Sequence, residues 1–562
     1  MFQLHAVDFF IIIFYFAFVL GVGWYLKRRT KSGLDFFLAG RSQSAWVAAI
    51  SFMAASMGAL ELMGWSAATY QYGLMAVHWY WIGVVPAMLF LGLFMMPFYY
   101  ISRTHSVPGY LKLRFGESSR VFAAVTFVVM TLLASGISMY SMGLVLENFF
   151  GWDFDISVWA TTIVVCIYVA MGGLTSAIFN EIVQFFLIWA GSFLIPVYGL
   201  IEVGGWDKLV EKVAARVAEI TPAGQPVLER MHIWSTLGDP ANNPMGMHWF
   251  GIAFGLCFVL ATGYWCTDFL VVQRVLTTKD LRSAKMAPVI SSIFKVTVPF
   301  IVILPGILCF VLIPGLQPES PGISASESYN AVLPLMMKRY LGPGMIGLGL
   351  TALMAGFMSG MAGNVSAFAT IWTYDIYRSL IRKNASDKHY LNMGRWCTVL
   401  GVLISILTTY LVKQFSSMAD YTQALFSFFN APLFATVIIG MFWKRATPQG
   451  GFWGILLGTV TAVVLFFGVR FGIIDPFYIT LSRNPSDMSV FVWQAVWAFT
   501  VDVLATVVIS LATRPVPDLE LAGVVYGATE IPRDEGIPWY KRPWFWTIIS
   551  LIFFTSLNII FW

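Results

Sequence analysis

The sequence predicts an all-α integral membrane protein of about fourteen spanning helices, folded as one transmembrane domain over residues 1–562. Three observations predict it. The chain is 58% hydrophobic and only 11% charged, whereas soluble domains carry roughly 25% charged residues. Apolar runs of about 20 residues, the length that crosses a bilayer, recur from end to end. Two of these runs are interrupted by glycines beside a carboxylate, where lipid favours neither.

Residues 7–26 form the first apolar run. No basic segment precedes it and no small-residue cleavage site follows it. Lys27-Arg28-Arg29 comes next instead, so it reads as a retained helix with a stop-transfer flank. The later spans are expected near 45–73, 77–101, 119–147, 155–176, 180–203, 246–270, 286–313, 343–372, 394–412, 415–442, 450–472, 489–512 and 543–562. The longest loop of one set, 204–245, has an amphipathic pattern around Trp206–Ile220. Loop 513–542 holds Pro515, Pro517, Pro532 and Pro538 and should be irregular.

Most of the 34 basic residues fall in one set of alternate loops: 27–41, 103–120, 274–285, 378–395, 444–445 and 514–542. That side is expected to be cytoplasmic. Both termini then lie outside, and the chain is a multi-pass protein of the cell membrane. A formal charge of +5 implies no nucleic-acid partner. Five cysteines without CxxC spacing, and no HExxH, imply neither a disulfide framework nor a metal site. No nucleophile–base pair marks an enzyme.

The interrupted runs are Ala54-Ala55-Ser56-Met57-Gly58-Ala59-Leu60-Glu61-Leu62-Met63-Gly64 and Gly255 to Asp268. They occupy matching places if 45–203 is one repeat and 246–442 a second, with 7–26 and 450–562 peripheral. Paired broken helices opening two inverted halves point to a transporter site at the bilayer centre. Glycines that merely let helices pack closely would give the same pattern. Glu61 at that depth suggests solute or proton binding. Lys295 sits about ten residues from the inner end of its span, so an interior ion pair is expected, with Glu61, Asp268 or Glu181 as partner. Of the aromatic run Trp79-Tyr80-Trp81, Trp79 reads as an outer aromatic belt and Tyr80 as a cavity residue.

Phe36-Phe37-Leu38-Ala39-Gly40-Arg41-Ser42, Gly172-Gly173-Leu174, Trp265-Cys266-Thr267-Asp268 with Gln273-Arg274, Lys295 with Pro299, Asp375-Ile376-Tyr377 and Phe442-Trp443-Lys444-Arg445 together resemble the sodium:solute symporter family, nearest its sodium/glucose–galactose branch. The resemblance implies the five-plus-five inverted-repeat fold of amino-acid and neurotransmitter symporters, with broken first and sixth core helices. It implies cation-coupled symport, with sodium, of a small polar solute, sugars being the branch's substrates. It implies a sodium site at Ala54, Met57, Gly356, Ser359 and Gly360, and a cytoplasmic cation route at Glu181. It implies substrate positions at Glu61, Tyr80, Ala261, Tyr264, Lys295 and Gln423, with Tyr264 as the inner gate. Relatives carry two adjacent serines where this chain has Ser359 then Gly360. They carry other polar residues at 61, 80, 83 and 261. These departures keep open a solute sensor, or an uncoupled or proton-coupled relative.

Overall fold

A computed structural model describes residues 4–27, 38–58, 60–223, 227–234, 238–320, 323, 327–532 and 536–562, with side chains at 23, 164 and 167–176 outside the described set. Arg28, Arg29, Phe36, Phe37 and the side chains of Gly172-Gly173-Leu174 lie outside the described residues.

Nine single helices and three bent pairs are long and apolar enough to cross a membrane, twelve candidate spans among the described residues. They match twelve of the expected runs. The other two expected runs are α1 (Ala6–Lys27) and the first half of α7 (Phe154–Ser192). Here the structure corrects the boundary expected at 177–179. The backbone stays helical through these residues and passes through Phe193, itself in helical conformation, into α8 (Leu194–Val203). No proline interrupts 154–192, so nothing removes an amide from the ladder there.

The core begins with α2 (Ala45–Ser56) and α3 (Leu60–Val77), which meet at 58° across residues 57–59. Next come α4 (Trp79–Ile101), a short α5 (Val107–Phe115) and the long α6 (Glu117–Phe150). Amphipathic α9 (Trp206–Ile220) follows α8 and buries Leu209, Val213 and Val217, as the pattern predicts. The second half opens with α10 (Gly251–Thr267) and α11 (Phe269–Leu276), bent by 47°. Residues 251–262 are π-wound and helical, so within the Gly255–Asp268 stretch the break falls at its far end, at Asp268. Asp268 caps α11, accepting the Leu270 N–H at 2.8 Å.

α12 (Leu281–Leu312), α14 (Met345–Ile381) after the short α13 (Val332–Tyr340), and α15 (Asp387–Val412) complete the surround. A third bend, 42° between α16 (Met418–Phe428) and α17 (Asn430–Phe442), was not expected. Pro432 explains it, since its ring nitrogen cannot bond back to the Phe428 carbonyl. α18 (Pro448–Arg470), α19 (Asp487–Ala512) and α20 (Pro543–Ile560) flank the core.

α14 packs against α6 and α7, and α12 against α2 and α3. The first helix is tied in by charge. Asp8 is buried and accepts the Gly344 and Gly347 N–H groups at 2.8 and 2.7 Å. A carboxylate from α1 thereby caps the positive end of α14.

Candidate functional site

Glu61 stands on a π-wound turn just past the first break. Lys295 of α12 faces it, and the two form an ion pair with side chains 7% and 0% exposed. The Lys295 ammonium also donates to Ser56 Oγ at 3.1 Å. It lies 5.1 Å from the Trp265 ring centre and 5.8 Å from that of Tyr80, so two aromatic faces complete its shell. Of three acids eligible by sequence, Glu61 takes the lysine. Asp268 is a helix cap, and Glu181 pairs elsewhere.

Glu61 borders a small cavity of about 30 Å³ enclosed by Ser56, Trp65, Trp79, Tyr264, Trp265, Gln423 and their neighbours. That is water-sized, so the site as folded is shut. Four rings close it in a column. Trp65 stacks on Trp79 (5.1 Å, 22°), Trp79 on Phe426 (6.0 Å, 21°) and Phe426 on Tyr264 (4.8 Å, 22°). Trp79 therefore belongs to the cavity wall, not to an outer belt. Around the cavity, beyond the Glu61–Lys295 pair, Gln423 Oε1, Trp265 Nε1 and Tyr80 Oη are buried without a hydrogen bond among the described residues. Gln423 and Trp265 line the cavity. Tyr80 is fully buried behind it, edge-on to Trp65 at 6.0 Å.

The sequence-predicted residues Glu61, Tyr264 and Gln423 meet at this cavity, and Lys295 reaches it through Glu61. Ala261 does not. It faces Gly83, where an added Cβ would come within 2.8 Å of the Ala261 methyl. What the structure shows for those two small residues is helix contact. Sequence reading passed over Trp65, Ser56, Thr422 and Phe426. Ala419, Thr422, Gln423 and Phe426 are spaced i, i+3, i+4, i+7, a single helix face that was visible once Gln423 was chosen.

The predicted cation residues gather at the first break. Ser359 donates its hydroxyl to the Ala54 carbonyl at 3.0 Å. Gly356 and Gly360 let the broken backbone lie directly on α14. A Cβ at Gly356 would stand 3.0 Å from the Met57 carbonyl oxygen, and one at Gly58 would stand 3.4 Å from the Gly360 Cα. The glycines are thus a close-packing face, and the same contact brings main-chain oxygens toward the Ser359 hydroxyl. Oxygen donors are what a hard cation takes, so the donor set fits sodium.

Glu181 is fully buried at a separate knot. It pairs with Arg274 at 2.6 Å, both side chains 0% exposed, and accepts the Ser51 hydroxyl. Arg274 also donates to the Leu270 carbonyl at 2.8 Å and to Gln273 Oε1 at 3.3 Å, and Gln273 donates to Thr370 at 3.0 Å. Four elements, α2, α7, α11 and α14, are joined there.

The model of the sodium:solute symporter family matches residues 36–458. Sodium/glucose cotransporter 4 of Danio rerio is 30% identical over 568 residues, covering 96% of this chain and 84% of that protein. Sodium/glucose cotransporter 1 of Sus scrofa is 26% identical, covering 92% and 80%. A solved structure of a Na+-coupled sialic acid symporter, substrate-bound and outward-open, superposes with a TM-score of 0.72 at 20% identity, over 91% of this chain and 99% of that one. It shares the fold. The apolar spans, the two matched broken helices and this coverage converge: the chain belongs to the sodium:solute symporter family, as a multi-pass membrane carrier that moves a small solute together with sodium.

Proposed function

We propose that the solute is neutral and hydroxyl-rich, a sugar or polyol, carried by alternating access with residues 45–203 and 246–442 as the two repeats and both termini outside the cell membrane. The observation that supports it most is the Glu61–Lys295 pair. A lysine alone at the cavity would select carboxylates, and a glutamate alone would select amines. Paired, they cancel in charge and still offer both donors and acceptors. Gln423 Oε1 adds an acceptor and Trp265 Nε1 a donor that line the cavity without partners among the described residues. Sugars are also what the names of the sodium/glucose cotransporter relatives specify. Tyr264 serves as the inner gate. Ala54, Met57, Gly356, Ser359 and Gly360 form the sodium site, and Glu181 its inward route.

A solute of this kind needs a larger space than the present cavity, so the ring column must part to admit it. Uptake into proteoliposomes tests the reading. With an inward sodium gradient, a neutral sugar in a panel of sugars, carboxylates and amines should accumulate above equilibrium. Preferential accumulation of a charged solute overturns it. Gln423→Ala should raise the solute KM roughly tenfold, because a buried hydrogen bond left unmade costs about 1–3 kcal/mol. An unchanged KM removes Gln423 from the site.

A further inference from the structure

Ser138 lies on α6, far in sequence from either broken helix, and is 5% exposed. Its neighbours on that helix turn inward on themselves: Ser135 donates to the Thr131 carbonyl at 2.7 Å and Ser141 to the Ile137 carbonyl at 2.8 Å. Ser138 makes no such bond among the described residues. Its hydroxyl points across to α14 and stands 3.1 Å from the place a Cβ on Gly360 would occupy. The same imagined Cβ would lie 3.5 Å from the Gly58 Cα. Ser138 Oγ thus fills the space that a side chain at 360 would fill, against the first break and beside Ser359.

We propose that Ser138 supplies the cation a hydroxyl ligand, delivered from α6 into the space above Gly360. This rests on the sodium-coupled reading and names a residue beyond its site. The chemistry is that of the other donors there, a neutral oxygen suited to a hard cation. A hydroxyl that makes no hydrogen bond among the described residues has its lone pairs available to a cation. The placement has a mechanical consequence. With Ala54 and Met57 on the broken helix, Ser359 on α14 and Ser138 on α6, the ion ties three elements together. Ion departure then loosens α6 as well as the break.

The test uses the purified full-length protein, with its thermal midpoint followed against sodium chloride while choline chloride holds ionic strength constant. Binding to the folded state raises the midpoint with sodium concentration. In Ser138→Ala the sodium concentration for half the effect should rise roughly tenfold. Ser138→Thr, which keeps the oxygen, should stay within about twofold of wild type. Adding Gly360→Ser to Ser138→Ala should restore the wild-type response, because the new hydroxyl enters the vacated space. Gly360→Ser alone should lower the midpoint even without sodium, since two side chains then compete for one volume. An unchanged half-effect in Ser138→Ala overturns the proposal. A wild type that responds equally to sodium and choline overturns the sodium-coupled reading itself, and this one with it.

Discussion

Lys295→Met should cost about 3–5 kcal/mol of stability, the largest loss expected of any single change near the cavity. Removing one partner of a buried pair strands the other charge. Glu61 is 7% exposed at its side chain and pairs with no second cation among the described residues, so its carboxylate would be left buried without a counter-charge. Glu61→Gln with Lys295→Met should recover most of the loss, because the double change strands nothing. The measurement is the thermal midpoint of the purified protein for both singles and the double. If the double falls by the sum of the singles, the two groups act independently and the pair is not what holds this wall. Solute uptake separates stability from selectivity. The double variant should fold and yet transport poorly, having lost the donors and acceptors that the charged pair presents.

Glu181→Leu should lose a similar amount, about 3–5 kcal/mol, for the same reason acting on a guanidinium. Arg274 keeps its bonds to the Leu270 carbonyl and Gln273 but no carboxylate. The effect should extend beyond stability. The knot joins α2, the first half of the first broken helix, through Ser51 to α11, which follows the second break. Without it the two broken units separate more easily at that end. A sodium-independent leak of solute from loaded vesicles should therefore appear in Glu181→Leu and in Arg274→Met. Tight vesicles from both variants would show that the knot is structural only and does not gate.

The fold was legible because lipid imposes a simple rule. Unbroken apolar length is a span, and glycine beside a carboxylate inside one is an anomaly requiring a use. The twelve spans among the described residues and the first break beside Gly58 follow from that rule. Where it fell short, local backbone chemistry decided. The π-wound stretch at 251–262 absorbs its glycines without opening, so the chain breaks one turn later at a capping aspartate. The bend before Asn430 depends on a single proline within an otherwise ordinary apolar run.

The site was half legible. Glu61, Tyr264, Lys295 and Gln423 are polar or aromatic groups at membrane depth and announce themselves. Which acid Lys295 would take could not be read, because Glu61, Asp268 and Glu181 are equally buried in sequence terms and differ only in what faces them. Ser138 was invisible for another reason. A serine in a spanning helix ordinarily bonds back to its own turn, and only the glycine opposite it, distant in the chain, gives it somewhere else to point.

The column of Trp65, Trp79, Phe426 and Tyr264 carries a consequence for observation. Two indoles 5.1 Å apart and inclined by 22° are close enough for their excited states to mix, giving a paired band in circular dichroism that single chromophores lack. Parting them to admit cargo would erase that band, so the protein carries a built-in, label-free optical clock for its own opening. Trp65→Phe would silence it and identify its source.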